Sequence, residues 1–522
     1  MRPRYTRLLH DSLLMSAHDH PDKVALVTGD ERVTYRDFLD RSLRLARALQ
    51  EHGIQRGDRV AVFLENGVAA AVGIYGALLA GAVFIVVNPQ TKAPKLAYVL
   101  ADAGVSAIVT EGRLARVVAV ASADVPSLQT VVQAGDIQAA VADVLALDTV
   151  LAETPPEPLP TSVIPLDLAA LVYTSGSTGN PKGVMLSHQN MVFAQGSLSQ
   201  YLRLGDDERI LNLLPLAFDY GLYQALMAAH LGATLVLERS FAFPAEVVRR
   251  IHGEQVTVVP GVPTVFATLL AMHRSSAIRL PSVRRLTNTA AHLPDEYVPV
   301  LREIFPEALV YKMYGLTECK RVCYLEPELV SARPMSVGKA IPGTEAFVLR
   351  EDGAPAAPGE TGILHVRGPH VMMGYWNLPE ETNRMLVPGR YPGERMLCTH
   401  DYFKTDADGF LYFVGRSDDI IKSRGEKVAP VEVENALAGI PGVREVAVVG
   451  VPDELLGQAV RAFVVLDAGV EMDDRAFRRE CMTRLEAFMV PRDVVFVREL
   501  PRTDSGKVRK KTLMEAVPPS QW

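Results

Sequence analysis

Leu171-Val172-Tyr173-Thr174-Ser175-Gly176-Ser177-Thr178-Gly179-Asn180-Pro181-Lys182-Gly183-Val184 is the stretch on which the reading of this chain turns. The apolar run from Leu168 to Tyr173 reads as a buried strand. It gives way to a loop of glycine, serine and threonine followed by one lysine. Glycines let backbone N–H groups approach a polyanion, the hydroxyls add donors, and Lys182 adds positive charge, which is what a triphosphate needs. The loop is not a Walker A sequence, because no G-x-x-x-x-G-K-[ST] is present. The bland alternative is a flexible polar loop.

Outward from this loop the chain alternates strand and helix. Thr34-Tyr35-Arg36-Asp37 resembles a capping box opening a helix through Leu39, Leu43, Ala46 and Leu49, with Gly53 as its stop. Strands are expected at Arg59 to Leu64, near Ala107 to Val109, at Leu168 to Tyr173, Ile210 to Leu214, Thr234 to Leu237 and Val256 to Val259. Helices are expected around Tyr223 to Leu231 and from Ala245. This is the pattern of doubly wound α/β sheets. Glu153 to Pro160 reads as a stiff, proline-rich connector. From about Ser336 short strands alternate with Pro-Gly and Asp-Gly turns, and Asp408-Gly409 reads as a turn before a strand at Phe410 to Val414. After Asp418-Asp419 a compact α/β pattern restarts. The expected fold is α/β: a large N-terminal domain over residues 1–417, with a small β-rich lobe at about 336–417, and a small mobile α+β domain over 418–522.

At 522 residues there is ample chain for a large core. Fifty-four basic against 61 acidic residues give a net charge of −7, so a chain-wide nucleic-acid footprint is not expected. Cys319, Cys323, Cys398 and Cys481 are too few for a disulfide framework, and Cys319-x3-Cys323 lacks a Cys/His pair to complete a zinc site. Free thiols in a reducing, cytoplasmic compartment are expected. The basic start is interrupted before any apolar core of a signal peptide. The uncharged stretch Val68 to Val87 is long enough to span a bilayer, but Gly81 divides it into a small-residue helix and a β-branched strand, so buried α/β structure is expected and no integral membrane segment.

Two further segments suit a nucleotide. Met313-Tyr314-Gly315-Leu316-Thr317-Glu318 sets together an aromatic ring for a base, a hydroxyl for a phosphate and a carboxylate for Mg²⁺. Leu500 to Lys511 taken alone reads as a solvated basic tail. The order of these segments, with Cys398-Thr399-His400-Asp401, Gly415 to Pro430 and Pro501 to Lys507, resembles the adenylate-forming superfamily: acyl-CoA synthetases, peptide-synthetase adenylation domains and luciferases. The resemblance covers nearly the whole chain.

What the resemblance implies is ATP-dependent activation of a carboxylic acid to acyl-AMP, with pyrophosphate released, then transfer to a thiol. The co-substrate thiol is coenzyme A or the phosphopantetheine of a separate carrier protein. Thr174, Ser175, Gly176, Ser177, Thr178, Gly179 and Lys182 are implied to close over the β- and γ-phosphates, with Thr174 also contributing to catalysis. Tyr314 and Gly315 are implied against adenine, Thr317 at the α-phosphate, and Glu318 at Mg²⁺. Asp401 is implied at the ribose with Arg416 beside it, and Lys507 as the catalytic lysine bridging the two reacting anions. Asp418 is the implied hinge, and Arg424 and Gly425 serve the second half-reaction. The family usually shows Thr-Gly-Asp where this chain has Thr399-His400-Asp401.

Leu214 to Leu222 is implied to line the acid pocket, through Phe218, Asp219 and Tyr220, with Asn288, Thr289 and Ala290 as another wall. Phe218-Asp219 is similar to the Phe-Asp of amino-acid-activating domains, where the carboxylate meets the substrate's α-ammonium, which would suit a proline-like acid and a natural-product pathway. The other reading of Asp219 is a helix cap at Tyr220 or a bond to a backbone amide. A buried carboxylate needs some such partner. A non-catalytic nucleotide-binding scaffold is the remaining alternative, and the presence of Lys507, Glu318 and Asp401 speaks against it. His188 is expected to cap or pack at a helix start after Ser187. Cys319 is expected to pack, and His230, His252 and His273 carry no metal spacing.

Overall fold

A computed structural model describes residues 6–137, 144–174, 180–416, 419–423, 426–453, 457–485, 489–503 and 507–515. Ser175, Gly176, Ser177, Thr178, Gly179, Asp418, Arg424 and Gly425 therefore lie outside the described residues. The chain divides into two compact units. One holds residues 1–334, 338–346 and 366–397, and the other holds 335–337, 347–365 and 398–522. Residues 347–365 and 398–417, part of the expected β-rich lobe, group with the C-terminal residues. The reason is that the strand ending in Asp401 to Thr405 pairs with Leu411–Arg416, whose chain runs directly into the C-terminal fold.

The larger unit is built on two mostly parallel sheets. In one, Arg59–Val62 lies between Val83–Val86 and Val105–Glu111, all parallel, with Leu168–Thr174 parallel to Val83–Val86 at the next position. Lys182–Ser187 then returns antiparallel to Leu168–Thr174, and Gly374–Tyr375 pairs antiparallel with it. In the other, Val24–Thr28, Thr234–Leu237, Arg209–Asn212, Val258–Gly261, Arg285–Asn288 and Leu309–Tyr314 run parallel in that order. Cys323–Leu325 turns back on Leu309–Tyr314. These strands read as near-continuous apolar runs because helices cover both faces.

Local signals set the elements. Thr34 accepts the Asp37 N–H and opens the helix Tyr35–Glu51. Ser187 and Asn190 form a reciprocal capping box at the start of His188–Tyr201. The uncharged stretch Val68 to Val87 folds as the buried helix Val68–Leu79 and the strand Val83–Val86. Glycine at position 76 lets this helix approach Tyr35–Glu51, since a Cβ there would lie 2.8 Å from Leu45. Among the described residues no helix is long and apolar enough to cross a membrane. All four cysteines are buried free thiols.

The smaller unit carries a sheet of Glu426–Val428, Ile421–Ser423, Gly457–Leu466 and Val443–Asp453, with Asp493–Phe496 parallel to Gly457–Leu466. Its core gathers Ile421, Val433, Leu437, Val448, Val460 and Phe477. The helix Lys510–Glu515 is tied down by Lys510 Nζ, 2.7 Å from Glu434 Oε1.

Candidate nucleotide and acid site

Thr174 and Lys182 are register partners on adjacent antiparallel strands, so they bracket the glycine-rich loop. The next strand over brings Tyr375 to the same place. The Lys182 ammonium stands 5.5 Å from the Tyr375 ring centroid, and the Tyr375 hydroxyl donates to Glu318 Oε1 at 2.6 Å. One aromatic side chain thus joins Lys182, the lysine that follows the glycine-rich segment, to the carboxylate of the Tyr314-to-Glu318 segment. The Met372 N–H donates to the Glu318 carbonyl at 2.7 Å, fixing the backbone as well. Tyr375 was not singled out from the sequence. Its only signal there is an aromatic pair, Tyr375-Trp376, after a glycine.

Glu318 is the carboxylate that the resemblance implies for Mg²⁺. Tyr375 engages Oε1, and among the described residues no cluster of three or more His, Cys, Asp or Glu forms a protein-only metal cage. A Mg²⁺ ion is commonly held by one or two carboxylates together with substrate phosphates, and the oxygens of Glu318 are the donors this segment would offer it.

The segment after Glu318 was also missed. Glycine at 315 is required here, because a Cβ would sit 2.5 Å from the Lys320 carbonyl oxygen and 2.9 Å from Arg321 Cα. The Arg321 N–H donates to the Cys319 carbonyl at 2.7 Å, closing a three-residue turn in which Lys320 has φ 62°. A left-handed non-glycine residue of this kind costs about 1–3 kcal/mol and persists where the surroundings over-determine it. The turn drives both side chains into the protein: Lys320 is 3% and Arg321 2% exposed.

Asp219 is the first residue of the helix Asp219–Leu231, with Phe218 at the N-cap and no side-chain capping bond. The Asp219 reading as a helix cap at Tyr220 is therefore corrected: the helix starts one residue earlier, and the carboxylate turns to a cation instead. Lys320 Nζ lies 3.2 Å from Asp219 Oδ2 and 2.8 Å from the Asp219 carbonyl oxygen. The ammonium beside Asp219 in this structure is that of Lys320; a substrate's α-ammonium is the other partner the sequence allows it. Lys320 also stands 4.5 Å from the Tyr223 ring centroid and 5.5 Å from that of Tyr220. Burial pushes the Lys320 ammonium down to about 7; Asp219 opposes the shift and Arg321 adds to it.

Of the residues expected to wall the acid, Tyr220 and Thr289 lie against these cations. Tyr220 Oη is 2.7 Å from the Thr287 carbonyl oxygen, and Asn288 and Thr289 are buried beside it in the chain. Thr289 Oγ1 accepts from Arg321 Nη1. Ala290 is exposed and left-handed, with φ 74°. Cys319 is buried, and burial, then the Glu318 charge, raise its thiol well above the usual range, which suits packing. His188 Nδ1 accepts the Leu9 N–H at 3.0 Å at the start of its helix, a packing role as expected.

The smaller unit holds the remaining side chains. Asp401 and Arg416 are register partners, with Nε 3.5 Å from Oδ1, and Asp401 is 4% exposed. The Thr399 hydroxyl donates to the Leu364 carbonyl and accepts the Asp401 N–H, orienting the segment. His400 has φ 55°, so the position where the family usually has glycine is left-handed here, and this chain bears that conformation with a full side chain. Burial alone would raise the neighbouring Cys398 thiol, but hydrogen bonds from His365 and His400 bring it down to about 6. Lys507 is exposed on a hairpin closed by the Arg502↔Val508 bridge. Its N–H donates to Thr503 Oγ1, and the Thr503 N–H returns to its carbonyl.

Comparison with known proteins identifies the family. Residues 13–376 match the AMP-binding enzyme family, and residues 432–507 match the AMP-binding enzyme C-terminal domain. The chain is 32% identical over 540 residues to a long-chain-fatty-acid–CoA ligase of Bacillus subtilis (strain 168), covering 98% of this chain and 95% of that one. It is 34% identical over 492 residues to a feruloyl-CoA synthase of Amycolatopsis sp, covering 94% and 95%. The crystal structure of the anthranilate CoA ligase AuaEII in complex with anthranoyl-AMP is similar with a TM-score of 0.90 at 26% identity, covering 99% of this chain and 98% of that one.

Proposed function

This chain belongs to the AMP-binding enzyme family, and from that membership we propose how its own residues divide the work of joining a carboxylic acid to a thiol. It is an AMP-forming ligase: ATP and the acid give an acyl adenylate and pyrophosphate, and the acyl group passes to coenzyme A. The acid is one without an α-ammonium, because Asp219 already holds Lys320. Coenzyme A, rather than a carrier protein, is the acceptor that the named relatives support.

The difficulty in the first step is an anion attacking an anion. Lys182, beside Tyr375 and Glu318, supplies positive charge to the β- and γ-phosphates, and the Thr174 hydroxyl donates to the same group. Tyr314 offers its ring to adenine and Thr317 its hydroxyl to the α-phosphate. Asp401, steadied by Arg416, accepts from the ribose hydroxyls. Mg²⁺, held by Glu318, would neutralise phosphate charge when bound. Lys507 neutralises both the acid's carboxylate and the α-phosphate and fixes their approach. Phe218, Tyr220, Asn288, Thr289 and Ala290 enclose the acid. In the second step rotation about Asp418 exchanges Lys507 for Arg424 and Gly425, admitting the thiol.

The observation that supports this reading is the Lys182–Tyr375–Glu318 arrangement, in which one tyrosine links the lysine that follows the glycine-rich segment to the Glu318 carboxylate. The test is a half-reaction assay on Lys507→Ala. Acid-dependent pyrophosphate release is expected to fall by at least a hundredfold while thioester formation from supplied acyl-AMP persists. Equal loss of both would refute the division of labour.

A further inference from the structure

Three ionisable side chains meet beside Tyr220 and Thr289, and with Lys320 protonated their charges do not cancel. Asp219 answers Lys320. Arg321 has no such partner: among the described residues no carboxylate pairs with it. Its Nη1 donates to the neutral Thr289 hydroxyl, its Nε is buried with no hydrogen-bond partner, and its guanidinium lies 5.4 Å from the Tyr220 ring centroid. The buried Tyr201 hydroxyl also faces it, with Arg321 opposing the rise that burial gives that phenol. Glu318, the nearest acidic residue along the chain, is engaged by Tyr375.

Burying a guanidinium without an anion is unfavourable unless something repays it. Here the chain also holds a left-handed non-glycine residue at each end of the Arg321–Thr289 hydrogen bond, Lys320 and Ala290. Strain of this kind gathers at ligand clamps. A planar guanidinium with its buried Nε–H unfilled, set against a tyrosine face and a threonine hydroxyl, is suited to receive a planar oxyanion.

We propose that Arg321 is a specificity-determining residue that receives a second carboxylate of the substrate, so that the acid activated by this enzyme is a dicarboxylic acid. One carboxylate reacts with ATP, and the other ends against Arg321 and Thr289 at the Tyr220 wall. This rests on the adenylation reading and on the placement of the acid between Tyr220 and Thr289.

The test compares matched pairs of acids in ATP-dependent thioester formation with the full-length enzyme: succinate against butyrate, adipate against hexanoate, isophthalate against benzoate. For at least one pair, the wild type is expected to show a kcat/KM for the diacid at least tenfold above that for its monoacid. Arg321→Met is expected to lower that ratio by about a hundredfold, mainly through the KM of the diacid, and Arg321→Lys to restore part of it. A wild type preferring the monoacid in every pair would overturn the proposal, and that arm needs no variant to fold. So would an Arg321→Met enzyme in which both members of a pair fall alike, since that is the result if Arg321 holds the reacting carboxylate or merely supports the fold. Absence of acid-dependent AMP formation with every acid would overturn the adenylation reading along with it. Normal turnover of monoacids alone would overturn only this inference.

Discussion

Replacing Asp219 by Asn isolates the charge of the buried pair without emptying the site. Asparagine keeps an oxygen near Lys320, and the Asp219 backbone carbonyl at 2.8 Å is untouched. At the 3.2 Å separation and an effective dielectric of about 20, the lost attraction amounts to about 5 kcal/mol. That figure is not the loss to expect, because Lys320 can escape by releasing its proton. Its folded-state value of about 7 lies below the usual lysine value, so Lys320 is protonated in the folded wild type only below about pH 7, where burial makes that charge a net cost that Asp219 reduces. Releasing the proton costs ~1.4 kcal/mol at pH 6 and nothing at pH 9. Asp219→Asn is therefore expected to destabilise the protein by ~1.4 kcal/mol more at pH 6 than at pH 9, over a pH-independent loss of about 1 kcal/mol from the weaker hydrogen bond. Calorimetric unfolding of wild type and variant, compared at each pH, measures the difference. Equal destabilisation at both pH values would refute the pairing of a titrating Lys320 with Asp219.

Tyr375→Phe removes the 2.6 Å hydrogen bond to Glu318 while keeping the ring beneath Lys182. A bond to a charged group is worth about 1.5–3 kcal/mol, so the Mg·ATP concentration at half-maximal rate is expected to rise roughly tenfold to a hundredfold; an unchanged Mg²⁺ titration would disprove the positioning role. His188, His292 and His370 are each held down to about 4, chiefly by burial, against an ordinary value of 6.5. Their folded-state values are depressed, so the unfolded chain binds protons first as pH falls. Stability is then expected to drop from pH 7 to pH 5 by about 2 kcal/mol for each histidine. Urea denaturation at the two pH values checks this, and His292→Gln should remove its share.

The sequence determined whatever depends on near neighbours along the chain. The Thr34 and Ser187 caps, the break at Gly81 and the apolar runs feeding parallel strands all follow from short-range periodicity and capping chemistry. The order of the glycine-rich loop, Tyr314 to Glu318, and the lysine near the C-terminus was enough to identify the reaction class, because each is a contiguous segment. Tertiary structure alone decided the partners. Tyr375 reaches Glu318 across 57 residues, and Lys320 reaches Asp219 across 101. Nothing in the local pattern near Asp219 distinguishes a carboxylate waiting for a substrate ammonium from one neutralised by a lysine of its own chain. The left-handed turn at Lys320 is equally silent in sequence, since it is forced by the close approach of Gly315 and not by a glycine at the turn itself. Charge pairing inside a protein is settled by which groups packing brings within a few ångströms, and only the folded chain fixes that distance.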